Sequence, residues 1–180
     1  MTNIPSLIRI TEPASEPLTL TETKAYLKID NSADDTLISN LIIAVRKSAE
    51  GFLHSSLITQ SWKISYDRYA PSSILLPMGP VQSITSVTSF ARDASSTVMS
   101  SSAYYLSAGN RNLVFDASPL SHRVEIIYVA GYGLSASDIP SPIKYGMLAH
   151  IAAIYDGRAG GHSIPEQAVE FYMPYKAIRV

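Results

Sequence analysis

The sequence predicts an α+β chain that is mainly a helical bundle, with a long helix over residues 34–53 packed on a helix over 140–156. Short N- and C-terminal helices and an inserted small antiparallel β-sheet complete it. Three observations carry this. Ile38, Leu41, Ile42, Val45, Ala49, Phe52 and Leu53 recur at steps of three and four, one stripe of a 3.6-residue period. Ile143, Met147, Leu148, Ile151, Ile154 and Tyr155 repeat that spacing far downstream. Between them, residues 58–130 switch to alternation and short β-rich runs punctuated by Gly, Pro and Asn. Two amphipathic helices must bury their stripes, and each large side chain removed from water contributes roughly 1.5 to 3 kcal/mol.

In chain order, residues 1–17 hold Pro5, Pro13 and Pro17 among small and polar residues without a periodic apolar face, so they are expected to form a flexible arm. Residues 18–180 are expected to form a single domain with its β-rich insertion at about 58–130. Thr19-x-x-Glu22 is a capping-box pattern ahead of a short helix carrying Ala25, Tyr26, Leu27 and Ile29. Ser32-x-x-Asp35 reads as the cap of the long helix, whose wet face is assigned to Ser39, Arg46, Lys47 and Glu50. At 1.5 Å per residue that helix is about 30 Å long.

After Leu53, Trp62, Ile64 and Tyr66 alternate with Ser61, Lys63 and Ser65, as in a half-buried strand. Residues 81–90, 104–106, 113–115 and 123–129 are further strand candidates, and the Ser-rich 91–102 reads as a loop or hairpin tip. Pro140 or Pro142 fits the first turn of the second long helix, and Gly157 ends it. Val169, Tyr172, Met173 and Ile178 then suggest a short helix interrupted by Pro174.

Composition narrows the function. With 14 basic and 15 acidic residues and a net charge of −1, no overall field draws the chain to nucleic acid or to an anionic membrane. No cysteine is present, which excludes disulfides and thiolate metal sites. No apolar run reaches membrane-spanning length and no secretion signal is evident, so a soluble intracellular product is expected. His54, His122, His150 and His162 stand apart without zinc-site spacing, so no metal and no cofactor is expected. The Gly-rich stretch at 157–161 lacks the Lys-Ser/Thr of a phosphate loop and reads as a connection. No serine lies in Gly-x-Ser-x-Gly, so catalytic residues are none and the chain is expected not to be an enzyme. Two alternatives stay open, a small-ligand or peptide-binding module using the β insertion and a hydrolase built from residues brought together by folding. Eleven tyrosines, among them Tyr132, Tyr155, Tyr172 and Tyr175, suit either an interface or a core.

Several residue groups together resemble the phage head–tail connector (adaptor, head-completion) proteins of the gp6-like type, including the phiE125 gp8 family. They are Leu18-Thr19-Leu20-x-Glu22-x-Lys24-x-Tyr26-Leu27, Asp34-Asp35-x-Leu37-Ile38 with Ala49-Glu50, Leu57-Ile58-Thr59-Gln60-x-Trp62, and Leu76-Pro77-x-x-Pro80-Val81-x-Ser83-Ile84. Tyr128-x-Ala130-Gly131-Tyr132, Ile139-Pro140-x-x-Ile143-Lys144 and Met173-x-Pro-Tyr-Lys follow, with Lys176 where the family tends to have Arg. The resemblance implies a structural adaptor of the virion, located at the head–tail interface and in the host cytoplasm during assembly. It implies about twelve copies in a homo-oligomeric ring under the portal protein, a docking surface for a tail-joining (head-closure) protein, DNA only as passing cargo, and no membrane partner. It also implies a portal contact by the C-terminal segment, which we assign to Phe171, Tyr172, Pro174, Tyr175 and Arg179.

Overall fold

The chain divides into two compact units, Met1–Pro13 with Thr59–Gly131 and Ala14–Ile58 with Tyr132–Val180. The structure is a computed structural model, and it describes residues 5–68, 70–107, 109–117, 119, 122–157 and 163–177.

The described part of the first unit is β apart from a 3₁₀ turn at Ser101–Ala103. Strands β1 (Ser6–Thr11), β2 (Gln60–Asp67), β3 (Ser73–Leu75), β4 (Val81–Phe90), β5 (Ser96–Val98), β6 (Tyr104–Leu106), β7 (Asn112–Phe115) and β8 (Arg123–Ala130) form two sheets. Their orders are β1-β2-β8-β4-β5 and β3-β7-β6, and every pairing is antiparallel. In β2 and β8 alternate residues turn inward, so Trp62, Ile64, Val124, Ile126 and Tyr128 meet Ile74, Leu113 and Phe115 of the smaller sheet in one core. Ser61, Lys63 and Ser65 take the outer face, half-buried. The Tyr128 hydroxyl, deep in this core, donates to the Pro77 carbonyl at 2.7 Å. That bond satisfies the one polar atom the ring carries inside.

The second unit packs four helices: α1 (Leu20–Leu27), α2 (Asp35–Leu53), α3 (Ser141–Tyr155) and α4 (Glu166–Tyr172). Ile38, Ile42, Val45, Ala49 and Leu53 of α2 share a core with Ile143, Met147 and Ile151 of α3 and with Ala168 and Tyr172 of α4. Thr19 caps α1, its Oγ1 accepting from Glu22 N at 3.1 Å. Ser32 makes no such cap on α2, where Asp34 takes the cap position without a side-chain bond to the helix. Its carboxylate accepts instead from the Tyr155 hydroxyl of α3 at 2.6 Å, while Asp35 takes Lys24 Nζ of α1 at 2.6 Å. Two adjacent acids pointing different ways thus tie the start of α2 to both neighbours.

Three expectations need correction. The chain is not a mainly helical bundle with a small insertion, because two antiparallel sheets with their own core make up one of its two units. Short strands of three residues such as β3 and β5 leave almost no periodic trace, whereas a 19-residue helix leaves a strong one. Residues 6–11, within the expected arm, form β1 on β2. Arg46 and Glu50, placed on the wet face, are 2% and 1% exposed.

That buried pair organises the second unit. Arg46 Nη1 donates to Glu50 Oε2 at 3.1 Å and its Nε to Glu16 Oε2 at 2.7 Å, while Glu50 Oε1 accepts from Leu57 N at 3.0 Å. The guanidinium thus bonds two carboxylates at once, and the charge is spread over several charge-assisted hydrogen bonds. Nearby, Leu57 O accepts from Tyr132 N at 3.3 Å, Ser15 Oγ donates to Leu134 O at 3.1 Å, and Ile58 bridges Gly133. Residues 15–16, 57–58 and 132–134 are therefore fastened together beside α2.

Arg46→Ala would strand Glu50 in the interior, and a stability loss of roughly 3–5 kcal/mol is expected in chemical denaturation. Replacing Arg46 and Glu50 together by Met and Leu should cost less, because the carboxylate left behind, Glu16, is 28% exposed and reaches solvent, and the remaining loss is the acceptor of the Leu57 amide.

A candidate assembly surface on the helical unit

The C-terminal segment is held in place by one ring. Tyr172 is fully buried, 6.0 Å from Phe52 between ring centroids, against the backbone of Gly146 on α3. A Cβ at Gly146 would sit 2.5 Å from Tyr172 Cε1, so only glycine lets α4 approach α3 this closely. Beyond α4 the chain makes a 3₁₀ turn, Met173–Tyr175, and is tied back to α2. Ala177 N donates to Leu53 O at 3.0 Å and Lys176 Nζ lies 4.2 Å from the Phe52 ring centre, a cation–π contact.

Buried Tyr172 forces its neighbours outward. Phe171 is 37% and Met173 55% exposed, and Pro174 is exposed too. The Phe171 ring lies 6.4 Å from that of Tyr145, itself 57% exposed on α3. Tyr145 also borders a groove of about 360 Å³ between α1 and α3, lined by Glu22, Tyr26, Ser141, Lys144, Tyr145 and Leu148. An ion pair crosses it, Lys144 Nζ to Glu22 at 3.2 Å. Exposed as it is, that pair contributes at most about 1 kcal/mol. The helical unit thus exposes the aromatic side chains Tyr26, Tyr145 and Phe171 in succession, bordered by charge, and exposes Met173 just beyond α4. Such composition typifies the middle of protein contacts.

Of the residues assigned to a portal contact, Phe171 and Pro174 are exposed and Tyr175 is half-buried. Tyr172 is corrected to a core residue, because the same apolar ring that suits an interface suits the α3–α4 seam. Arg179 lies outside the described residues, as do His162 and most of the Gly-rich stretch. Sequence reasoning missed Tyr145 and Tyr26, although Tyr145 falls off the apolar stripe of α3, which was a usable signal.

The histidines are dispersed. His54 ends α2 in the left-handed conformation, His122 precedes β8, and His150 is buried in α3 with Nδ1 lacking a partner among the described residues. Burial holds its pKa below the ordinary 6.5. Among the described residues no group of three His, Asp or Glu side chains stands close enough to hold a metal ion. No described helix is long and apolar enough to cross a membrane.

The chain thus combines a helical unit that has a buried tie and an exposed aromatic face with a two-sheet β unit. Residues 16–149 match the family described as head completion protein, and the chain belongs to that family. Its role is that of a structural head–tail adaptor of a phage-like particle. Among solved structures, a chain in the neck of an empty gene transfer agent particle, treated with C6 symmetry, is 20% identical over 97% of both chains, with a TM-score of 0.80. A chain in the virion of a native gene transfer agent is 20% identical, covering 97% of this chain and 96% of that one, with a TM-score of 0.80. A third, in the neck of the native particle in C12 symmetry, is 20% identical over 97% of both chains, with a TM-score of 0.74. At that identity the likeness establishes the fold. No curated protein matches the sequence.

Two predictions test this geometry. The Tyr172 hydroxyl has no partner among the described residues, so Tyr172→Phe should be neutral or stabilising by up to about 1 kcal/mol, whereas Tyr172→Ala should cost about 3–5 kcal/mol. Urea denaturation separates the two. For His150, the folded state refuses a proton that the unfolded state accepts near pH 6.5, so stability is full above that pH and falls as pH drops through it. Melting curves between pH 7.5 and 5.5 should show this fall, and His150→Leu should flatten it.

Proposed function

We propose that this chain works as one copy in a closed ring of about twelve at the neck of a tailed particle, beneath the portal and above the tail-joining protein. The exposed aromatic surface of the helical unit carries the reading. Phe171, Met173, Pro174 and Tyr175, with Tyr145 beside them, form the contact to the portal. These side chains are rigid and amphipathic, so they bury large area at low entropic cost. The solved neighbours come from a particle neck in six-fold and twelve-fold symmetry, and their shared fold supports the ring. The role requires no catalytic step. DNA passes through such a channel, and the near balance of 14 basic and 15 acidic residues favours passage over a firm grip, since each phosphate contact adds to retention.

The experiment replaces Phe171 and Met173 together by Ser. Met173 is largely exposed, and losing the Phe171–Tyr145 ring contact should cost about 1–2 kcal/mol, which a melting curve reads and which leaves the protein folded. The substituted protein should nevertheless be lost from purified particles, and tails should fail to join heads. Normal incorporation and normal tail joining would refute the portal contact.

A further inference from the structure

Resting on the ring reading above, we infer that neighbouring copies join edge to edge through the larger β-sheet, the free edge of β1 in one copy pairing in parallel with the free edge of β5 in the next. Among the described residues β1 and β5 are the two edges of the sheet β1-β2-β8-β4-β5. Every neighbouring pair in it is antiparallel and the number of strands is odd, so both edges run in the same direction. Rotation about an axis along the strands therefore sets β5 of one copy beside β1 of the next with parallel sense. The two edges are different surfaces, as head-to-tail closure requires.

The edges themselves favour this. A lone monomer ordinarily blunts a sheet edge with Lys, Pro or inward charge, because unpaired backbone groups recruit other strands. Within Ser6–Thr11 there is no Lys or Pro, and Ile8 and Ile10 are about half exposed. The one charged side chain, Arg9, turns inward 4.8 Å over the Trp62 ring and pairs with Glu12 at 2.8 Å, so this inward charge and the bulge between Arg9 and Thr11 are the guards the strand carries, and neither covers the edge at Ile8. On the other edge, Ala91 N bonds Ser95 O and Met99 N bonds Val87 O, which turns the backbone of residues 95, 97 and 99 toward β4. By alternation the N–H and C=O groups of Ser96 and Val98 face outward. Val98 is also 68% exposed. An extended chain in register satisfies such groups, and a second copy supplies one at every position of a ring.

The chain has no cysteine, so introduced thiols report cleanly. Val98→Cys is combined with Ile8→Cys, and separately with Ile10→Cys, in particles produced with the variant in place of the wild-type chain. Mild oxidation should give a ladder of disulfide-linked multimers with at least one pair and none with single substitutions, because paired strands bring Cα atoms within disulfide reach. A second variant, Ile8→Lys with Ile10→Lys, should keep the wild-type melting temperature and reduce incorporation at least tenfold. If the adaptor is incorporated but neither pair cross-links, or if the lysine variant is incorporated at the wild-type level, the edge pairing is overturned while the adaptor role stands. If the wild-type chain is itself absent from the neck, the adaptor reading falls.

Discussion

The helical unit depends on one buried cation. Arg46 sits between Glu16 and Glu50 inside the unit, and Glu50 in turn holds the backbone at Leu57. Residues 15–16, 57–58 and 132–134, the stretches where the chain passes between its two compact units, are bonded to one another or to this cluster. Desolvating three charges is expensive, and only a closed set of hydrogen bonds offsets it. Segments 15–16, 57–58 and 132–134 of the helical unit are thus held beside one helix by directional bonds rather than by shape alone. An apolar cluster of equal volume would hold the same segments together with less control of their alignment.

The aromatic surface follows from the seam on the far side of α2. Tyr172 fills the gap that Gly146 leaves, and a helix of seven residues, too short to persist alone, becomes a fixed element. Its own packing decides which residues turn outward, and these are Phe171 and Met173. The β unit is built on a different principle. Its interior is filled by interleaved side chains from two sheets, and its larger sheet ends in two unlike edges.

Much of the helical unit is legible in the sequence, because the stripe of α2 and the spacing of Ile143, Met147 and Ile151 report burial on one face. The alternation of β2 and β8 is equally plain. Other features are hidden for definite reasons. An Arg and a Glu four residues apart look like a surface pair in any helix, and only the distant Glu16 and the Leu57 amide make them buriable. The strand β1 has no inward face to produce alternation, since nearly all its residues are exposed. Tyr172 and Phe171 are chemically alike and adjacent, so which one is core and which is surface depends on a glycine 26 positions upstream of Tyr172.

The tie of Ala177 to Leu53, with Lys176 over Phe52, closes the segment after Tyr172 at its far end as well. Phe171, Met173 and Pro174 therefore project from a stretch anchored on both sides. Under the portal contact proposed above, little disorder is left for a partner to remove, and binding there would follow lock-and-key behaviour with selectivity set by contour rather than by induced ordering.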